Sequence, residues 1–302
     1  MFCTTVHRGT VQTVDHPGSR LGSQTEPTTR ESVYKESNSS LHGPAMRHSS
    51  LLTLLTSLLL TTAQAAPPTT VRLCYDQEDV YPWRIKGGQG LDFTLLKLLE
   101  GRVNVHFELQ ALPWKRCLLE LGENRHDGAV AASFRPERME VGVYPMAGSV
   151  PDASLRMRAE SYSLFRLKGS TPSWDGKRFS GIEGNVGAQA GYSIVEQLKA
   201  AGLSVDTGTA SADDNLRKLL LGRVVAVALL SSEGDASIAA NPEFTARMER
   251  LYPPLTERAY YLLFSKPFYA RDEALALRIW QALPAVRDSA DYKRAEAAMR
   301  QP

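Results

Sequence analysis

The chain has 302 residues and a formal net charge of +2 at neutral pH, with 43% hydrophobic and 23% charged residues. This length and composition are typical of a globular protein of one large or two modest domains, with enough apolar residues for a substantial core. The near-neutral charge argues against nucleic acid as a partner, because nucleic-acid binding needs a clustered basic face.

The first 65 residues are predicted to lie outside the folded protein. Residues 1–45 lack apolar periodicity, so we interpret them as a non-native or disordered leader upstream of a true start at Met46. A charge-free apolar run at 51–60 and an A-x-A pattern ending at Ala65 then predict a signal peptide over 46–65, cleaved after Ala65. An uncleaved membrane anchor is the alternative, but the run is short for a membrane span and two prolines follow it.

Beyond residue 66, strand and helix signals alternate, which predicts an α/β fold. The first series comprises a strand at 71–75, a helix at 91–99, a strand at 103–109, a helix from 114 to 122 and a strand at 129–132. After a linker at 147–152, the second series comprises strands at 161–167 and 186–190, helices at 192–201 and 216–221, and a strand at 224–230. The chain then returns through a strand at 259–265 and ends in helices at 272–283 and 288–299.

The stretch 112–146 contains the first candidate ligand-binding residues. Trp114 opens an amphipathic helical run, and the following apolar strand ends at Ser133. The segment from Ser133 to Arg138 therefore follows the carboxyl end of a strand, where open α/β sheets hold ligands. An arginine fork can bind a carboxylate bidentately, and Ser133 adds a hydroxyl and an N–H. Taken alone, such an arginine is more often a solvated or salt-bridged surface residue.

The order of residues in this stretch is more informative than any one of them. In chain order the stretch contains Trp114, Arg116, Leu118, Asp127, Gly128, Ser133, Pro136, Glu137, Arg138, Tyr144 and Pro145. This order resembles the family 3 extracellular solute-binding proteins, the periplasmic receptors typified by polar amino acid transporters, and the resemblance covers about residues 71–299. It implies that Arg138 holds the α-carboxylate of a ligand and that Trp114 lines the pocket.

The resemblance also implies a two-lobe, type II periplasmic binding protein fold. Lobe 1 would comprise residues 66–160 and 256–302, interrupted by lobe 2 at residues 161–255. The two crossings, near 159–163 and 251–259, would form a hinge, and closure of the lobes would bury the ligand in the cleft.

Further candidate site residues lie in two loops. Gly191, Tyr192 and Ser193 stand between a strand and a helix of the second series, so their N–H groups can bind the same anion as Arg138. In the loop after the first strand, Tyr81 and Trp83 can stack on a ligand, and Trp83 matches an aromatic residue that lines the pocket in the resembling family. The acids of that loop, Asp76, Glu78 and Asp79, can meet a cationic group, although such a loop is more often a solvated turn.

One position departs from the resembling family. Its amino acid receptors hold the ligand ammonium with an aspartate at the end of the strand that follows a Gly-Arg pair, and Leu230 stands near that place here. A buried ammonium without an anionic partner is costly, so a standard α-amino acid is expected to bind badly unless Glu233, Asp235 or Asp79 substitutes. A carboxylate ligand without the usual amine is the other possibility.

The folded part is predicted to contain two cysteines, Cys74 and Cys117, since Cys3 lies in the leader. An even pair in an exported protein is typical of a disulfide. The strand of Cys74 and the helix of Cys117 are neighbours in one lobe of the implied fold, so we expect a Cys74–Cys117 bond. Two buried free thiols are the alternative.

Together these observations predict a periplasmic, monomeric solute-binding protein without cofactor or metal. It would capture a small polar or carboxylate-bearing ligand for the permease of an ABC transporter. The alternative is a ligand-sensing module for a membrane signalling protein. A third possibility is an enzyme resembling cyclohexadienyl dehydratase, which shares this fold, with Glu137 or Glu233 as a general acid. We expect that the protein is not an enzyme, because the sequence contains no nucleophile, phosphate-binding or metal-ligand motif.

Overall fold

The computed structural model describes residues 67–85 and 87–300. The predicted leader, signal peptide and cleavage after Ala65 therefore lie outside the described residues. No helix in the described part of the chain is long and apolar enough to span a bilayer.

The described chain alternates strands and helices, which confirms the α/β prediction. The strands are β1 (Thr69–Asp76), β2 (Val105–Leu112), β3 (Gly128–Ser133), β4 (Gly142–Val143), β5 (Met146–Ala147), β6 (Val150–Pro151), β7 (Arg158–Leu167), β8 (Ser173–Trp174), β9 (Phe179–Ser180), β10 (Val186–Ala188), β11 (Val205–Asp206), β12 (Ala226–Leu230), β13 (Met248–Arg250) and β14 (Thr256–Ser265). The α-helices are α1 (Leu91–Val103), α2 (Trp114–Gly122), α3 (Ile194–Ala200), α4 (Ala212–Leu220), α5 (Ser231–Ala240), α6 (Pro242–Arg247), α7 (Lys266–Arg271), α8 (Glu273–Arg287) and α9 (Ala290–Arg300). Two 3₁₀ turns lie at Pro136–Glu140 and Ala153–Leu155.

One ten-stranded sheet joins both series of elements, in the order β11-β10-β12-β7-β14-β3-β1-β2, with β13 paired to β7 and β4 paired to β14. The strands β1, β2 and β3 are parallel at one side, and β10, β11 and β12 are parallel at the other. The strands β1, β3 and β12 end at Asp76, Ser133 and Leu230, and open α/β sheets hold ligands outside such carboxyl ends.

The long strands β7 and β14 connect the two sides. Residues 158–162 of β7 pair antiparallel with residues 256–260 of β14. Beyond this shared segment the strands diverge, because β7 continues beside β12 and β14 continues beside β3. The paired segment overlaps the predicted hinge crossings, and the lobe boundaries at 160/161 and 255/256 stay predictions.

Several element boundaries differ from the sequence-based expectations. Helix α3 begins at Ile194 rather than at 192, because the chain turns at Gly191 with a φ of 80°. Helix α4 begins four residues before the predicted 216, at Ala212, where the Ser211 hydroxyl accepts from the Asp214 N–H and caps it. Helices α5, α6 and α7 and strands β11 and β13 were not predicted, since they are short or lack an apolar stripe.

The loop before α1 is fixed by one glycine. Gly90 has a φ of 119°, and a Cβ there would lie 2.3 Å from the Trp83 carbonyl oxygen. Only glycine fits such a close approach. The loop thereby holds Trp83 and Arg84 against the first turn of α1, where Asp92 is buried.

The predicted disulfide is confirmed. Cys74 on β1 and Cys117 on α2 are bonded, with their Cα atoms 5.6 Å apart. The bond ties α2, which carries Trp114, to the strand that ends at Asp76.

Candidate functional site

A small cavity lies where the two sides of the sheet face each other across β7 and β14. Five of the predicted site residues line it: Trp114, Ser133, Arg138, Tyr192 and Ser193. Its volume is about 20 Å³, which is room for one water molecule. The remaining three predicted residues, Tyr81, Trp83 and Gly191, do not belong to the lining.

Arg138 bridges the two sides of the cavity. It lies on the 3₁₀ turn after β3, and its Nη1 donates to the Ser133 carbonyl oxygen at 2.7 Å and to the Ser133 Oγ at 3.0 Å. Its Nη2 donates to the Gly191 carbonyl oxygen at 3.0 Å, on the side of the second series. The guanidinium also lies 5.3 Å from the centre of the Trp114 ring. In this arrangement Ser133 and Gly191 hold Arg138, and their own contact with a ligand stays a prediction.

Tyr192 makes a second contact between the two sides. Its hydroxyl donates to Asp76 Oδ2 at 2.6 Å. Burial, and next the negative charge of Asp76, raise the pKa of Tyr192 well above its usual value. The Tyr192 N–H donates to the Gln189 carbonyl oxygen, so it is not free to bind an anion as the sequence suggested.

Arg158, at the start of β7, was missed by the sequence analysis. Its guanidinium lies over the rings of Trp83 and Tyr260, 4.6 and 4.3 Å from their centres, and its Nε pairs with Asp92 Oδ1 at 3.1 Å. Asp92 also receives Arg84 Nη1 at 3.2 Å. Because these residues are far apart in the chain, no local pattern reveals the cluster.

Two predicted stacking residues have other neighbours. Trp83 packs on Arg158 and donates its Nε1 to Glu160 Oε2 at 2.7 Å, so it supports an arginine rather than lining the cavity. Tyr81 is 40% exposed, and its hydroxyl donates to the Met299 carbonyl oxygen. Stacking of these two rings on a ligand stays a prediction.

A larger, acid-lined cleft opens beside the small cavity and shares Asp76 and Arg84 with it. Its volume is about 680 Å³, and its acidic residues are Asp76, Glu78, Asp79, Asp213 and Glu233. Among the described residues, no three His, Cys, Asp or Glu side chains are grouped as metal ligands.

Glu233 is the buried acid of this cleft. Gln189 Nε2 donates to Glu233 Oε1 at 2.7 Å, but burial dominates and raises the pKa of Glu233 to about 8. Leu230, at the place of the missing aspartate, lines the small cavity. Asp235 pairs with Arg250 at 2.7 Å, and Glu233 and Asp79 lie on the cleft, so none of the three lines the small cavity beside Leu230.

Solved structures share this fold at low sequence identity. The ligand-binding core of GluR0 from Nostoc punctiforme, solved with L-glutamate, is 16% identical, with 77% of this chain and 100% of that chain covered and a TM-score of 0.60. A histidine kinase sensor domain with similarity to periplasmic binding proteins is 17% identical, with coverages of 78% and 97% and a TM-score of 0.61. The substrate-binding protein of an amino acid ABC transporter is 13% identical, with coverages of 77% and 100% and a TM-score of 0.59.

No protein-family model matches the chain, and no curated protein matches it. The structural similarity therefore establishes the fold: a two-lobe α/β architecture of the periplasmic-binding-protein type. The predicted fold class is confirmed, and so, at the level of fold, is the resemblance to family 3 solute-binding proteins.

Proposed function

We propose that this protein is a periplasmic solute-binding protein that encloses a small carboxylate-bearing ligand between two lobes and delivers it to the permease of an ABC transporter. One observation carries the proposal: a cavity between the two sides of the sheet, lined by Arg138 and by Tyr192. Substrate-binding proteins of amino acid ABC transporters are among the proteins that share the fold.

The cavity as it stands is too small for a solute, so binding requires the lobes to separate. We propose residues 66–160 and 256–302 as lobe 1 and residues 161–255 as lobe 2. Opening about the paired segment of β7 and β14 would break the hydrogen bonds from Arg138 to Gly191 and from Tyr192 to Asp76. A ligand anion would then meet Arg138, Trp114 and the Tyr192–Ser193 turn before closure. The protein is proposed to act as a monomer, exported by the signal peptide at 46–65.

A ligand sensor for a membrane signalling protein is the second candidate, favoured by the similarity to a histidine kinase sensor domain. It would use the same cavity and the same closure. The two differ in the partner: a permease would respond to the loaded protein by hydrolysing ATP faster, whereas a signalling protein would change its kinase activity.

Ligand binding is tested by thermal denaturation of the mature protein with amino acids, dicarboxylates and aromatic acids. A ligand that binds the folded state raises the melting temperature by mass action. We expect at least one carboxylate to do so, and mass spectrometry of the recovered ligand to find it unchanged. A chemically altered ligand would make the enzyme the better interpretation, and no stabilisation by any solute would contradict a binding protein.

A further inference from the structure

Arg158 has an unusual set of contacts for a buried arginine. It is 3% exposed, its guanidinium lies over the rings of Trp83 and Tyr260, and its Nε pairs with Asp92. Its Nη1 and Nη2 are buried and have no hydrogen-bond partner among the described residues. Arg158 also lines the small cavity. The one edge of the guanidinium that is neither stacked nor ion-paired therefore presents two donors in the fork geometry that matches a carboxylate.

The cavity is lined by more positively charged than negatively charged side chains. Arg84, Arg138 and Arg158 all line it, and Asp76 is the acid that lines it with them. Asp92 is shared between Arg84 and Arg158, so it neutralises only one of the two. Burial raises the pKa of Asp76, which favours its neutral form and so reduces the negative charge that balances the arginines. Uncompensated buried cations are costly, and an anionic ligand would remove that cost.

Arg138 and Arg158 differ in how many hydrogen-bond donors they have available for a ligand. The Nη1 and Nη2 atoms of Arg138 already donate to Ser133 and Gly191. The corresponding atoms of Arg158 donate to no described residue, and the Nε of Arg84 beside it is likewise buried without a described partner. Leu230 is the lining residue at the place of the missing ammonium-binding aspartate, and Asp76, the acid of the lining, already accepts from the Tyr192 hydroxyl.

We infer that Arg158 binds the ligand carboxylate through Nη1 and Nη2, and that the ligand is a small carboxylic acid without an ammonium group on the adjacent carbon. The inference rests on the proposed function and specifies the ligand class of the same site. Trp83 and Tyr260 fix the plane of the guanidinium, Asp92 fixes its Nε edge, and the ring of Tyr162 lines the space in front.

Matched ligand pairs test the ligand class. Propionate, glutarate and 3-phenylpropionate are compared with alanine, glutamate and phenylalanine, which differ from them by the α-ammonium group. Calorimetric titration of the mature protein is expected to show that at least one of the acids binds, and binds more tightly than its amino acid partner. Tighter binding of the amino acids would overturn the ligand class, and no binding of any of the six would overturn both this inference and the proposed function.

Arg158→Lys tests the residue, because lysine keeps the charge and loses the fork. We expect the dissociation constant for the bound acid to rise at least about tenfold, the lower end for loss of one hydrogen bond to a charged group. The control is Arg166→Lys, on the same strand, where the arginine pairs with Glu249 away from the cavity. Unchanged affinity in Arg158→Lys would overturn the assignment while leaving the proposed function intact.

A crystal structure of the parent protein with the bound acid provides a test that needs no variant to fold. Carboxylate oxygens within about 3 Å of both Nη1 and Nη2 of Arg158 are the expected result. A carboxylate held elsewhere in the protein would overturn the inference.

Discussion

Individual acidic residues near the cavity are strongly affected by burial. Glu233 is fully buried on the large cleft, and its Oε1 accepts from Gln189. The nearby charges act in opposite directions, since Asp76 raises the pKa of Glu233 and Arg84 lowers it. Desolvation exceeds both, so the carboxyl group favours its neutral form near neutral pH.

The first prediction concerns this group and pH. The pKa of Glu233 rises from 4.5 in the unfolded chain to about 8 in the folded protein. The stability associated with the neutral form is fully present below pH 4.5 and is lost as pH rises toward 8, by up to about 1.4 kcal/mol per pH unit. In Glu233→Gln we therefore expect the free energy of unfolding to fall less than in the parent between pH 5 and 8. Urea unfolding at several pH values measures this difference.

The control for this prediction is Glu243→Gln, an exposed carboxyl group on α6. It should follow the pH dependence of the parent. Parallel curves for Glu233→Gln and the parent would contradict the shifted pKa of Glu233.

The second prediction concerns Arg138 and binding. Arg138→Ala removes the bridge from Ser133 to Gly191 and a positive charge that faces the cavity. We expect it to cost about 2 to 5 kcal/mol of ligand binding, because opening frees Arg138 Nη2 from Gly191 for the ligand anion, and the variant leaves that buried anion with one cationic partner fewer besides Arg158. Titration with the acid found in the screen measures the loss.

The control is Arg135→Ala, because Arg135 pairs with the exposed Glu137; this variant should bind like the parent. Equal affinity in Arg138→Ala would show that the role implied by the family resemblance does not apply here.

At the scale of helices and strands, part of the site could be predicted because several of its residues lie at the ends of predictable elements. Trp114, Ser133 and Arg138 fall within one stretch, at a helix start, a strand end and the turn after it, so the sequence pattern together with the family resemblance predicts them. The buried strand β12 could be predicted because its five residues are all apolar. Helix α5 could not, since SSEGDASIAA has no apolar stripe and owes its position to packing. A Cβ on Gly234 would lie 2.3 Å from the Phe165 ring, so α5 approaches β7 more closely than a larger residue would permit.

The Arg158 cluster could not be predicted for a different reason. Its members come from the loop before α1, from α1, from β7 and from β14, and the pair Arg158–Asp92 is separated by 66 residues. Only the pairing of β7 with β14 brings Tyr260 beside Arg158. The sequence does not reveal this strand pairing, so it does not show which residues surround Arg158.

The third prediction concerns the covalent link between two elements. The Cys74–Cys117 bond closes a segment of 43 residues, which by chain-entropy scaling stabilises the folded state by about 4 kcal/mol. Reductant should lower the free energy of unfolding by that order, as measured by urea denaturation. The double variant Cys74→Ser/Cys117→Ser should be insensitive to reductant. Two free thiols in protein isolated from the periplasm, seen by intact mass after alkylation, would contradict the bond.

At the scale of the whole molecule, the proposed closure would be held by polar contacts across the cavity. Arg138 reaches Gly191, and Tyr192 reaches Asp76, from opposite sides of the sheet. The segment that connects the sides is the short antiparallel pairing of β7 with β14. Such an arrangement can exchange between open and closed forms, and a ligand that contacts both sides would shift the population toward the closed form.

The last prediction follows from the size of the cavity. At about 20 Å³ it has no room for a carboxylic acid, so we expect the ligand-free protein to open before it binds and the loaded protein to close around the ligand. Small-angle scattering should therefore show a smaller radius of gyration at saturating ligand than without ligand. Trp114 lines the cavity and should report the same event through its fluorescence. Trp114→Phe should lose that fluorescence change, and Trp174→Phe, at the β8–β9 hairpin, should retain it. Unchanged dimensions at saturation would mean that the two sides do not move as lobes.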